Sequence, residues 1–226
     1  MPVLAGRWET ARFPEWSESF IDRLVTNSPW ARPWKGTAVR QESTRRILSS
    51  WSQVGIGLPG QIPGVRWPRS PGQGRVPPQQ QPDPVIRVAV DLTIRWASAL
   101  PIRQAIALQQ FGRAGLGDPR AIEMIGIEPE HFIIELAGFP RILLNEQFER
   151  DLRKARLVVP GRRPTTPLSV TVPGIGTHLT ASLRFTRANG LQPEGTHIGL
   201  QIETGTLRVD EEFKLRSMIY NGHLEL

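Results

Sequence analysis

The chain contains no cysteine. That removes disulfides, thiolate zinc sites, iron–sulfur clusters and a cysteine nucleophile from consideration. It leaves the compartment open, because a chain without thiols suits either side of a bacterial membrane. Lysine is almost as scarce: of 28 basic residues only Lys35, Lys154 and Lys214 are lysines. Long apolar runs are missing too, and no stretch approaches the ~20 residues that a membrane-spanning helix needs. Nor does the sequence contain a Gly-x-Ser-x-Gly elbow, a Walker phosphate loop or a His-Glu-x-x-His motif.

The opening residues, MPVLAGRWET, lack the charged and apolar regions of a signal peptide. The expectation is a periplasmic or extracellular protein if an export signal has been removed, and a cytoplasmic one otherwise.

What the chain does have is arginine, and a net charge of +7. Residues 1–84 hold 11 basic and 6 acidic residues, and residues 85–226 hold 17 and 15, so most of the excess lies in the front third. Arginine's planar fork fits phosphate and carboxylate and stacks on aromatic rings, which suits nucleic acid or an acidic protein surface. A coding bias toward arginine yields the same count.

Three regions follow from the patterning. Residues 1–51 form an N-terminal helix and a Trp/Arg-rich arm. In this helix Trp16, Phe20, Ile21, Leu24 and Val25 share one face, with Pro14 in the first turn and Asn27-Ser28-Pro29 as the stop. Residues 52–84 carry 14 Gly or Pro in 33 positions and read as a linker or long loop.

Residues 85–226 form the body. VIRVAVDLTIRW alternates, with Ile86, Val88, Val90, Leu92, Ile94 and Trp96 on one face, as a strand with one wet side does. Ser98 is placed to cap a helix running to about Phe111, ended by Gly112, Gly115 and Gly117. HFIIELAGF is a second strand, and Asn145 caps a helix with a Phe148, Leu152 and Ala155 stripe. There Glu146–Arg150 and Glu149–Arg153 have the spacing of i,i+4 ion pairs. Alternating segments follow, ending in the hairpin signal Asn221-Gly222. The fold class is α+β: a mixed, mostly antiparallel sheet with two helices on one face, plus the N-terminal helix and extended arm.

The segments EWSESFIDRLVTNSPWARPW, IRWASALPIRQAI, EHFIIELAGFP and EEFKLRSMIYNGHLEL, with the Gly/Pro-rich spacer between the first two, resemble an uncharacterised family of bacterial proteins. Its members are often exported and have no assigned activity. The resemblance implies an envelope or extracytoplasmic location and a front segment that works with the body; it transfers no catalytic residue.

Chemical motifs are few. Gly55, Gly57 and Gly60 have dinucleotide-loop spacing, but Pro59 interrupts them and no helix pattern follows, so they read as loop. VPGIGT at 172–177 is a turn. His131, His178, His197 and His223 lack metal-site spacing and fall in or beside strands. No metal or cofactor is expected. Asp118, Glu123, Glu128 and Glu130 cluster beside His131 in a Gly/Pro-bearing loop. A hydrolase using this acidic loop, residues 118–131, is one functional class to weigh.

Six of the seven tryptophans precede residue 68, in a segment with too little aliphatic bulk for a core of its own. Trp16 and Trp30 are expected to pack on residues 85–226. Trp51 and Trp67, flanked by Arg45, Arg46, Arg66 and Arg69, are expected to meet an outside partner, together with Trp34. The leading functional expectation is a non-catalytic interaction or accessory protein, a subunit or partner of a larger envelope-associated assembly. A nucleic-acid binder using Arg and Trp contacts is the alternative.

Overall fold

The computed structural model describes residues 12–41, 85–172, 178–187 and 197–226. The chain divides into two compact units, residues 1–38 with 88–226, and residues 39–87. The core lies in the first.

Helix α1 (Glu18–Thr26) opens at Ser17, whose hydroxyl accepts from the Phe20 amide at 3.3 Å. Pro14 and Trp16 therefore precede the helix, because the side chain able to satisfy an orphan amide is Ser17. Ile21, Leu24 and Val25 are buried, as the helical spacing predicts. The chain then extends as β1 (Ala31–Gln41) and returns as β2 (Val85–Trp96).

Helix α2 (Leu100–Phe111) follows, with Ile102 and Ala105 fully buried and Gly112 closing it at φ +64°. Its N-cap is Ala99, which makes no side-chain cap bond. Ser98 is turned elsewhere: its hydroxyl accepts from the Ile133 amide at 3.0 Å, tying this corner to the second body strand. A buried hydroxyl goes to whichever orphan donor is in reach, and here that donor belongs to a strand.

Helix α3 (Pro119–Gly126) occupies the segment expected to be a loop. Asp118 caps it, and Pro119 fits the first turn, where its missing N–H costs nothing. Then come β3 (His131–Pro140), α4 (Glu146–Leu152) capped by Asn145 at 2.8 Å, and β4 (Arg156–Val158). Phe148, Leu152 and Ala155 are buried as their spacing requires. Glu146 pairs with Arg150 at 2.9 Å. The companion pair, Glu149 with Arg153, does not form among the described residues; Lys154 instead joins the buried Asp151 at 2.8 Å.

Short β5 (Ser169–Thr171) leads to β6 (His178–Thr186), β7 (His197–Glu203) and β8 (Arg208–Lys214). The hairpin β9 (Ile219–Tyr220) and β10 (His223–Leu224) turns at Asn221 and Gly222, with φ +50° and +78°. Both central residues have the positive φ that the primed turn demands.

These strands do not form one sheet. Five run in the order β1-β2-β3-β6-β5, three in the order β4-β7-β8, and the terminal hairpin stands apart. The registered pairs are antiparallel. Inner faces meet through Trp96, whose ring lies 5.3 Å from Phe132 on its own sheet and 5.8 Å from Phe213 on the facing one. Inner residues of β2, β3, β6, β7 and β8 join one core, as period-two burial on both sheets dictates.

In β3 the inner positions change parity. Phe132, Ile134 and Leu136 are buried, then Phe139. The register against β6 slips between Ala137 and Phe139, and Gly138 takes φ +96° in the resulting bulge. The slip carries Phe139 inward, where its ring lies 4.5 Å from Phe148 of α4.

Candidate functional site

The stretch TNSPWARPW runs from the last residue of α1 through a turn into β1, an edge strand with a neighbour on one side only. Pro33 and Lys35 sit where such a strand tolerates them: proline removes a ladder donor, and a charge deters pairing with another chain. Alternation puts Trp30, Arg32 and Trp34 toward one face.

Their environments grade along the strand. Trp30 is fully buried, and its indole Nε1 donates to the Glu225 carbonyl at 2.9 Å. Its ring meets Tyr220 edge-on at 6.4 Å, and Trp16 meets the same tyrosine at 6.3 Å. The Tyr220 hydroxyl in turn donates to Gln104 on α2 at 3.0 Å. Both tryptophans expected to pack on the body thus do so, and their host is the terminal hairpin together with α2.

Arg32 is half-buried, and its Nε is shielded from solvent with no hydrogen-bond partner among the described residues. Its charge is felt by Glu211, a half-buried residue of β8 in line with the buried Val209 and Phe213. Burial pushes the Glu211 carboxyl above its ordinary range, and the positive charge of Arg32 offsets part of that rise.

Trp34 is also half-buried and packs against the rim of the core. Its indole lies across Gly36: a Cβ there would fall 2.1 Å from the ring's Cη2. The glycine is what allows the ring to lie flat along an edge strand and cover backbone that has no side chain of its own. Of the residues expected to contact a partner, Trp34 is the one within the described part; Trp51, Trp67, Arg45, Arg46, Arg66 and Arg69 lie outside it, as do Gly55, Gly57 and Gly60.

The acidic cluster is dispersed by α3. Asp118 accepts from the Arg120 amide at 2.9 Å and from its guanidinium at 3.1 Å on both oxygens. Those bonds hold its pKa below the ordinary value, opposite to what a general acid needs. Glu128 instead pairs with Arg187. The four histidines each begin a strand, and His131 and His178 lie at opposite ends of the β3–β6 pair. Among the described residues no group of three or more His, Asp or Glu is placed to hold a metal ion.

One arrangement was not visible in the sequence. Arg103 on α2 is buried, and its guanidinium donates to the carbonyls of Met124, Ile125 and Ile127 at 2.7–3.0 Å. Its Nε reaches the Ser98 carbonyl at 3.1 Å. The arginine thereby satisfies the open carbonyls at the end of α3, and desolvation lowers its pKa from the ordinary value. An arginine on an apolar helix face is a signal of such a cap, but its target is a helix in the segment whose composition reads as loop.

No family model, curated protein or solved structure matches the chain.

Proposed function

We propose that this is a non-catalytic interaction or accessory protein, a subunit or partner of a larger envelope-associated assembly, which binds through its Trp/Arg/Pro-rich N-terminal region. The observation that carries the reading is the gradient from the turn at Trp30 into β1. Trp30 is consumed by the core, whereas Trp34, four residues on, keeps part of its ring in solvent. A half-covered indole on a rigid strand is a suitable interface anchor, since it offers a large contact area and little entropy is lost on docking. Beyond it the sequence continues with Arg45, Arg46, Trp51, Arg66, Trp67 and Arg69, residue types that interface centres favour.

The test is affinity capture from native extract of the source cells, with the full chain as bait. Trp34→Ala combined with Trp51→Ala and Trp67→Ala is expected to lose a specific set of proteins that the wild type retains. Identical captured sets from the two baits would remove these residues from the interface. A binding partner that depends instead on residues of the acidic segment 118–131 would redirect the reading to α3.

A further inference from the structure

Between Asp151 and Glu194 the sequence contains no acidic residue over 42 positions, yet it holds seven cations: Arg153, Lys154, Arg156, Arg162, Arg163, Arg184 and Arg187. On average composition a run of that length carries several carboxylates. The fold gathers much of this charge at one margin. Strand β4 is an edge of the three-stranded sheet, and β5 is an edge of the five-stranded one. The segment joining them bridges Leu157 to Thr165, and three residues later the Leu168 amide donates to the Arg184 carbonyl at 2.7 Å. Three residues of extended chain reach about 10 Å at most. The two sheet margins therefore come together here.

Arg153 and Arg156 project from the end of α4 and from β4, Arg163 from the turn that Gly161 makes at φ +74°, and Arg184 from β6 opposite Ser169. All four are exposed, and none forms an ion pair among the described residues. Exposed hydroxyls of Thr165, Thr166, Ser169 and Thr171 lie between them.

We propose that this rim is a sequence-independent binding surface for the phosphodiester backbone of nucleic acid. Unpaired arginines with interspersed hydroxyls and open backbone amides are the groups that hold phosphates, and they need no pocket to do so. A docked acidic protein would call for an apolar centre within the charged ring. Among the described residues of the rim Leu168 is the one large exposed hydrophobic, beside the small rings of Pro160 and Pro164, and no aromatic residue is exposed there, which favours the phosphate reading. The surface is separate from the tryptophan-bearing strand at the other margin of the five-stranded sheet.

The experiment is fluorescence anisotropy with the full chain and a labelled duplex of random sequence, titrated at several salt concentrations. The wild type is expected to bind with affinity that falls steeply as salt rises. Arg153→Gln with Arg156→Gln and Arg163→Gln should weaken binding at least tenfold at low salt and reduce the salt slope by about 3, one for each phosphate contact removed. Arg184→Glu alone should weaken it as well; this second variant serves if the triple one fails to keep the wild-type circular dichroism. Salt-insensitive binding, no binding, or variants that match the wild type would overturn the proposal. So would polyglutamate displacing the protein from a phosphate-free acidic bead as readily as duplex does, since that outcome assigns the rim to an acidic protein. Loss confined to a variant neutralised at Arg45, Arg46, Arg66 and Arg69 would also overturn it. None of these results depends on Trp34, Trp51 or Trp67, so the two readings fail independently.

Discussion

The indole of Trp30 and the carbonyl of Glu225, 195 residues apart in sequence, are joined by a 2.9 Å hydrogen bond inside the core. The same glutamate contributes its side-chain Oε2 as acceptor for the Leu100 amide at the start of α2. One residue near the end of the sequence thus fastens both the edge strand and a buried helix. Trp30→Ala is expected to cost about 3–5 kcal/mol, the range for removing a large buried ring. Trp30→Phe should cost less, about 1–3 kcal/mol, mostly for the orphaned carbonyl. Urea denaturation of the two variants checks this, and equal midpoints for Trp30→Phe and wild type would show the bond to be idle.

Arg103→Met keeps the apolar stem of the side chain but removes every donor that closes α3. A loss of about 3 kcal/mol is expected, because several carbonyls lose their partners at once. Hydrogen exchange gives a local signature. Amides of the last turn of α3, which end on Glu123 and its neighbours, should exchange faster before the global stability is reached.

Gly138→Ala attacks the bulge of β3. An added Cβ would stand 2.7 Å from the Asp91 carbonyl on β2, and the φ of +96° is unsuited to any L side chain. Backbone cannot swing aside as a flexible side chain can, so about 2 kcal/mol or more should be lost. The thermal midpoint should fall accordingly; an unchanged midpoint would mean that the strand can lose its bulge without penalty.

Burial of Glu211 gives the fold a pH dependence whose sign follows from the raised carboxyl pKa. Its folded pKa lies above the ordinary value of 4.5, raised by burial against the partial opposition of Arg32. Its contribution is therefore most favourable below that ordinary value and is lost as pH rises through the folded one. Glu211→Gln should then raise the thermal midpoint relative to wild type at neutral pH, with the difference closing as pH is taken below about 4. A variant less stable than wild type at neutral pH would show that Arg32 makes the carboxylate a net gain.

Much of the body could be read directly from its residues. Val90 to Trp96 alternate because each faces either the core or water, and Asn221-Gly222 announces its turn because few other dipeptides accept positive φ twice. Asn145 likewise marked the start of α4. Helix α3 is hidden in the sequence because it is short and lies among Gly115, Gly117, Gly126 and Pro129, which read as loop, and it buries only Ala121 fully. It forms because Asp118 caps one end and a distant arginine closes the other. The split of the later strands into a second sheet was equally hidden, since alternation tells which side chains face inward but not which neighbour a strand will choose. At the candidate site, the fate of Trp16 and Trp30 was legible from the poverty of aliphatic residues around them. Trp34 lies over Gly36 only because one extended strand holds both, and the approach of the β4 and β5 margins arises from pairings that no local pattern encodes.

The bond that joins Trp30 to Glu225 also orders events on the ribosome. Translation proceeds at about 5–20 residues per second, so α1 and β1 emerge many seconds before the hairpin that shelters their indoles has been made. Until then those rings have no core to enter.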